Sequence, residues 1–266
     1  MPVFSPDQIG SSPVRFSSKG VFETHKDRMV NPYAETLIPK EAQVEGIQFW
    51  PQAKGKYPCL VLLHDQWGLT FHINELARRF ACEGYVVLAP NLYGRQGGMI
   101  TANAEVAQAL MERMNEELVL QDIHASCEFL NANLPEDPNL EFTKRNIHGI
   151  VGWGMGGTLA IRFALKRKRL RAVVSFYGRL PEPLESIQQL SCPLLYHAAE
   201  KNEAADDQAL EQLCRYANEA GKSVEIRRYP GTCSGFSDPM RSDVYDESQT
   251  HLAWEETLAF LRKQLV

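Results

Sequence analysis

Five short apolar runs, at residues 59–63, 85–89, 147–151, 172–176 and 194–197, recur along the chain with longer helical patterns between them. Each run is of strand length, and unbroken apolar character is what a strand covered on both faces requires. Apolar spacing predicts the intervening helices over residues 73–82, 104–131, 157–168, 206–220 and 246–265. Parallel strands need a crossover of a dozen or more residues, so the alternation dictates βαβ units and a mainly parallel, doubly wound α/β sheet with helices on both faces. Residues 43–50 alternate apolar and polar positions and predict an edge strand stopped by Pro51. Residues 1–40, rich in Ser, Pro, Lys and Asp, read as an N-terminal arm, and residues 41–266 as one domain.

Composition removes several function classes. The 266 residues are 44% hydrophobic and 23% charged, with a net charge of -5, which gives no reason to expect a nucleic-acid partner. The apolar runs fall far short of the roughly 18–20 residues that cross a bilayer, and the first ten residues lack the pattern of a secretory leader. The expectation is a cytoplasmic protein without a membrane span. The six cysteines, Cys59, Cys82, Cys127, Cys192, Cys214 and Cys233, form no C-x-x-C pair and have no histidine at ligand spacing, so they predict reduced thiols and no metal site.

The strand at 147–151 runs into Gly152-Trp153-Gly154-Met155-Gly156-Gly157 and then a helix. This is the strand, sharp turn and helix of the α/β-hydrolase nucleophile elbow, G-x-nucleophile-x-G, whose middle residue lifts its side chain into the pocket from a strained backbone. The middle residue here is Gly154, which has no side chain to offer. The same turn lacks the residues of a phosphate-binding loop or a dinucleotide fingerprint, so no cofactor is expected.

Further motifs stand in register with the elbow: Leu62-Leu63-His64-Asp65-Gln66-Trp67-Gly68-Leu69, Ala89-Pro90-Asn91-Leu92-Tyr93-Gly94-Arg95, Ser175-Phe176-Tyr177-Gly178 and Ala253-Trp254-Glu255-Glu256. Together they closely resemble the dienelactone hydrolase family over residues 45 to 265. That resemblance implies an α/β-hydrolase fold with a Cys, Asp and His triad. Placed on this chain, the family's Cys falls on Gly154, its Asp on Asn202 and its His on Ser234. Gly154 cannot attack a carbonyl, Ser234 has no group that takes a proton near neutral pH, and Asn202 cannot stabilise an imidazolium.

Two readings follow. The first is a non-catalytic pseudoenzyme that keeps the pocket and binds a small ligand, a carboxylate included, or a protein partner. The second is an unconventional carboxylic ester or lactone hydrolase using Cys233, or a water activated by His64 or His197. The resemblance makes Arg95 a carboxylate-binding candidate, because a planar guanidinium grips a carboxylate with two hydrogen bonds. Asp65, Trp67, Tyr93 and Met155 complete the predicted binding set. The second family arginine corresponds to Asp238 here. The basic run at 166–171 reads as a solvated helix end.

Overall fold

The computed structural model describes residues 3–19, 41–132, 143–202 and 205–265. Eight strands form one sheet: β1 (Ile9–Lys19), β2 (Glu41–Pro51), β3 (Tyr57–Leu63), β4 (Val86–Pro90), β5 (Thr143–Trp153), β6 (Ala172–Phe176), β7 (Leu194–Lys201) and β8 (Val224–Cys233), in the order β1-β2-β4-β3-β5-β6-β7-β8. From β4 to β8 every neighbouring pair is parallel, while β2 runs antiparallel to both β4 and β1. Helices α1 (Phe71–Cys82), α2 (Ala104–Glu112), α3 (Glu116–Asn131), α4 (Met155–Lys166), α5 (Asp207–Glu219) and α6 (Glu247–Leu265) connect the strands or close the chain.

The period of two in each central strand divides its side chains between two cores. In β3, Cys59, Val61 and Leu63 pack with α3, α4 and α5, whereas Leu60 and Leu62 pack with α1 and α6. β7 divides likewise, Leu194, Tyr196 and Ala198 to one side, Leu195 and Ala199 to the other. Burial on both faces is why these runs read as continuous apolar sequence. Each fully buried Leu or Val contributes roughly 1.5–3 kcal/mol relative to exposure, so the central strands form a rigid platform for the loops at their carboxyl ends.

The structure alters three expectations. The helix predicted over 104–131 is two helices; the second restarts at Asn115, whose Oδ1 accepts the Leu118 N–H at 3.1 Å. Strand β8 escaped the apolar-run criterion because Glu225, Arg227 and Arg228 interrupt it, as suits an edge strand paired only with β7. Within the stretch read as an arm, residues 9–19 pair with β2 along their whole length, from Ile9 opposite Pro51 to Lys19 opposite Glu41, and Phe16 stacks on Phe129 of α3 at 4.6 Å. The remainder of that stretch from residue 20 to 40 lies outside the described residues. In the basic run, Arg167 is buried and pairs with Glu128 at 2.7 Å, while its basic neighbours are exposed. Among the described residues no helix is long and apolar enough to cross a membrane.

Candidate functional site

Strands β3, β5, β6, β7 and β8 all end on one edge of the sheet, where open parallel sheets place their ligands. Between β5 and α4 a single residue makes the turn. Gly154 takes φ +48° and ψ -110°, donates its N–H to Phe176 O at 2.9 Å and accepts from the Thr158 N–H and Oγ1, both at 3.0 Å. Positive φ suits glycine, which has no Cβ to crowd the neighbouring carbonyl. Two residues on, a Cβ at Gly156 would come within 2.6 Å of His64 O, so only glycine lets the first turn of α4 press against the end of β3.

The space above Gly154 is taken. A Cβ there would lie 2.6 Å from both Cγ and Oδ2 of Asp65, and closer still to Oδ1. Asp65 reaches this place from the loop after β3. Its Oδ1 accepts two backbone hydrogen bonds, from Gln66 N–H at 2.7 Å and Met155 N–H at 3.1 Å. A donor pair of this kind, one N–H from the residue after the elbow and one from the loop after an earlier strand, is what stabilises an oxyanion in acyl transfer. Here it is satisfied internally. Burial, the largest influence, raises the Asp65 carboxyl, the Gln66 and Met155 N–H groups oppose it, and the smaller effects of Asp238 upward and Arg241 downward leave it at about 6.

Beside Asp65 lies a cavity of about 10 Å³, lined among others by Trp67, His72, Tyr177, Asp238 and Arg241. Tyr177 is held at φ +42°, a strained value for a non-glycine residue, and its buried hydroxyl lies 3.0 Å from Ser237 Oγ. Arg241 sits over the Trp67 ring at 5.2 Å and forks onto Asp243. His72 is 9% exposed; its Nδ1 lies 4.0 Å from Asp238, and its Nε2 has no hydrogen-bond partner.

Beyond Gln66 opens a cleft of about 1400 Å³. Gln66, Arg179, Leu180, Lys201, Cys233 and Ser234 are among its lining residues, and no histidine is. Within it Ser234 Oγ donates to Asn202 Oδ1 at 3.2 Å, Asn202 Nδ2 donates to Tyr196 Oη at 3.1 Å, and Tyr196 donates to Gly178 O at 2.5 Å. Ser234 and Asn202 are thus neighbours, in a neutral chain of hydrogen bonds anchored on backbone.

The two histidines considered as bases are built into the scaffold instead. His64 Nε2 accepts the Leu92 N–H at 3.0 Å, so the ring proton sits on Nδ1 and goes to Asp65 O at 2.7 Å. Burial drives its pKa down to about 4. His197 is wedged between Tyr229 Oη at 2.5 Å and Thr257 Oγ1 at 2.9 Å, stacked on Phe176 at 4.1 Å, and pushed down to about 3 by burial and then by Arg227. Neither presents a free nitrogen to a water in the cleft. Arg95, the carboxylate-binding candidate, is engaged within the fold: its guanidinium makes a two-bond fork with Asp122 of α3, at 2.9 and 2.7 Å. Tyr93 is wholly buried behind the elbow, donating to Gln66 O at 3.0 Å and Met155 Sδ at 3.4 Å, so it supports the loop from behind.

Of the predicted binding set, Asp65 contacts Met155 at the elbow and lines the small cavity with Trp67, Tyr93 braces the elbow, and Arg95 pairs with α3. His72, Tyr177 and Arg241 were missed as site residues. For His72 the sequence carries no signal, since it lies on α1 and reaches the site only through the fold. Among the described residues no cluster of three or more His, Cys, Asp or Glu could hold a metal ion.

A parallel sheet wound on both faces, with a one-residue elbow between a central strand and a helix and a backbone donor pair beside it, defines an α/β-hydrolase. The chain belongs to the dienelactone hydrolase family, whose sequence pattern it matches over residues 44–265. It is 31% identical over 216 residues to protein usf of Aquifex pyrophilus, covering 78% of this chain and 89% of that one. It is 29% identical over 232 residues to a Saccharolobus solfataricus protein named "Putative carboxymethylenebutenolidase", covering 77% and 89%. Among solved structures, a dienelactone hydrolase-like promiscuous phosphotriesterase from metagenomic libraries shares the fold, with a TM-score of 0.76 at 16% identity over 97% of this chain and 100% of that one.

Proposed function

We propose that this chain is a family member that binds a small ligand in the cleft and does not turn over esters or lactones by thiol attack, with Gly154, Asn202 and Ser234 standing where the family has Cys, Asp and His. The observation that carries this reading is the Asp65 carboxylate over Gly154. The nucleophile's space and both donors that an acyl oxyanion needs are taken by one side chain. The neutral Ser234 to Asn202 bond supports it further, because neither group can accept a proton from a nucleophile near neutral pH. Cys233 lines the cleft without a histidine among the other lining residues to activate it.

The cleft carries both signs of charge: of its four acids, Glu200 accepts the Gly231 N–H, Asp206 caps α5 and Asp207 pairs with Arg228, which leaves Glu182 beside the cations. Arg179 and Lys201 line it, and among the described residues neither side chain has a hydrogen bond or ion pair, whereas Arg228 is already paired with Asp207 at 2.9 Å. A small carboxylic acid fits these cations and the apolar wall of Leu180, Leu184 and Leu210. The test combines hydrolysis of a small aryl ester and of a dienelactone with a thermal-shift screen of aromatic and aliphatic carboxylic acids. The expected result is no turnover above buffer and a rise in Tm that Arg179→Glu removes. Turnover abolished by Cys233→Ala overturns the reading.

A further inference from the structure

We propose that the cleft takes a zwitterion, a free α-amino acid or a short peptide with free ends and an apolar side chain, whose carboxylate goes to Arg179 and Lys201 and whose ammonium goes to Glu182. The inference rests on the reading of the cleft as a ligand site and narrows the class of acid that the site takes.

Charge separates a zwitterion from a simple acid here. Among the described residues that line the cleft, Arg179, Lys201 and Arg228 are cations, and Glu182, Glu200, Asp206 and Asp207 are acids. A ligand bearing only a carboxylate adds to the larger, negative side of that balance, whereas a zwitterion leaves it unchanged. With Arg228 held by Asp207, Asp206 by the Ala209 N–H and Glu200 by the Gly231 N–H, the groups left for a ligand are Arg179, Lys201 and Glu182. All three are exposed, and among the described residues their side chains have no hydrogen bond or ion pair. Arg179 and Glu182 stand three residues apart on the loop after β6 and still do not pair with each other. A ligand with both charges satisfies both signs at once; a ligand with one leaves the other unanswered.

The placement of the two cations supports a shared carboxylate. The neutral hydrogen-bond chain runs from Ser234 through Asn202 and Tyr196 to Gly178 O. Lys201 precedes Asn202 and Arg179 follows Gly178, so each cation is next in sequence to a link of that chain, which brings both to the same stretch of the cleft. Their backbones are fixed before a ligand arrives: the Arg179 N–H donates to Thr158 Oγ1 at 2.9 Å, and Lys201 lies opposite Cys233 in the register of β7 and β8. Glu182 lies farther along its loop, and the wall of Leu180, Leu184 and Leu210 suits an apolar side chain between the charged ends. At about 1400 Å³ the cleft exceeds the roughly 300–1,000 Å³ of small-molecule sites, which gives room for more than one residue.

The test measures four ligands by calorimetry at about pH 6.5, where α-amines are charged: L-leucine, leucyl-leucine, N-acetyl-L-leucine, which has no ammonium, and L-leucinamide, which has no carboxylate. Leucine or the dipeptide is expected to bind about fivefold or more tightly than either analogue with one charge. Glu182→Gln should remove the preference over N-acetyl-L-leucine, and Arg179→Gln combined with Lys201→Gln the preference over L-leucinamide. These side chains are exposed, so the fold is expected to tolerate each change, as circular dichroism checks. Tighter binding of leucyl-leucine than of leucine assigns a peptide, and the reverse a free amino acid. N-acetyl-L-leucine binding as tightly as leucine and the dipeptide overturns the inference; where that binding is lost in Arg179→Gln, the ligand-site reading stands and this one falls. Absence of binding by all four overturns the inference as well, and the thermal-shift screen of other carboxylic acids then decides the ligand-site reading by itself.

Discussion

At residue 154 the presence of glycine has two separable causes, its backbone and its neighbour. The positive φ alone disfavours any L side chain by roughly 1–2 kcal/mol, and overlap with the Asp65 carboxylate adds a packing cost of roughly 1–3 kcal/mol. Gly154→Cys is therefore expected to lower the free energy of unfolding by about 2–4 kcal/mol and to gain no esterase activity; denaturant melts of Gly154→Cys alone and combined with Asp65→Gly check this, the second change restoring part of the loss. Asp65 also sets a pH dependence. Its folded carboxyl, near 6, lies above the unfolded value of roughly 3.9, so its contribution is fully present below pH 4 and lost as pH rises through 6. Relative to Asp65→Asn, which does not titrate, the wild type should lose about 2–3 kcal/mol between pH 4 and pH 8, measured by urea unfolding at both pH values. A constant difference would contradict the burial assigned to this carboxyl.

Among the elements, the loop after β4 is tied to α3 by one ion pair. Arg95 and Asp122, with side chains 19% and 9% exposed, form it. Removing the arginine leaves a nearly buried carboxylate alone, at a cost of about 2–4 kcal/mol. Arg95→Ala should thus unfold at lower denaturant concentration and bind cleft ligands with unchanged affinity, whereas a ligand-gripping arginine would show the reverse pattern. The contrast marks what the sequence could and could not reveal. Position in a motif identified Arg95, but whether a guanidinium meets a ligand or a helix depends on Asp122, 27 residues along the chain. The central strands were legible because both their faces are buried and their runs unbroken. β8 was not, because an edge strand is free to carry Glu225, Arg227 and Arg228, none of them buried.

For the molecule as a whole, the platform of the hydrolase fold is retained while its reactive centre is occupied by the chain itself. Gly154, Asn202 and Ser234 came into view through the family resemblance, which sets them at the triad positions. The occupant was not, since Asp65 is 89 residues from Gly154 in sequence and no local pattern announces that its carboxylate crosses to the elbow; the small cavity with His72, Tyr177 and Arg241 joins α1, the end of β6 and the segment before α6 in the same long-range way. On the reading proposed above, the large cleft, the filled donor pair and the neutral hydrogen-bond chain belong to a site that holds a ligand without forming a bond to it. Covalent trapping tests that most directly: incubate the protein with excess activated aryl ester, quench in acid, and measure the intact mass and the peptides lining the cleft. Cys233 is expected to stay unmodified, with no acyl adduct at the elbow. An acyl group on Cys233 that forms and then hydrolyses on the timescale of product release would contradict it.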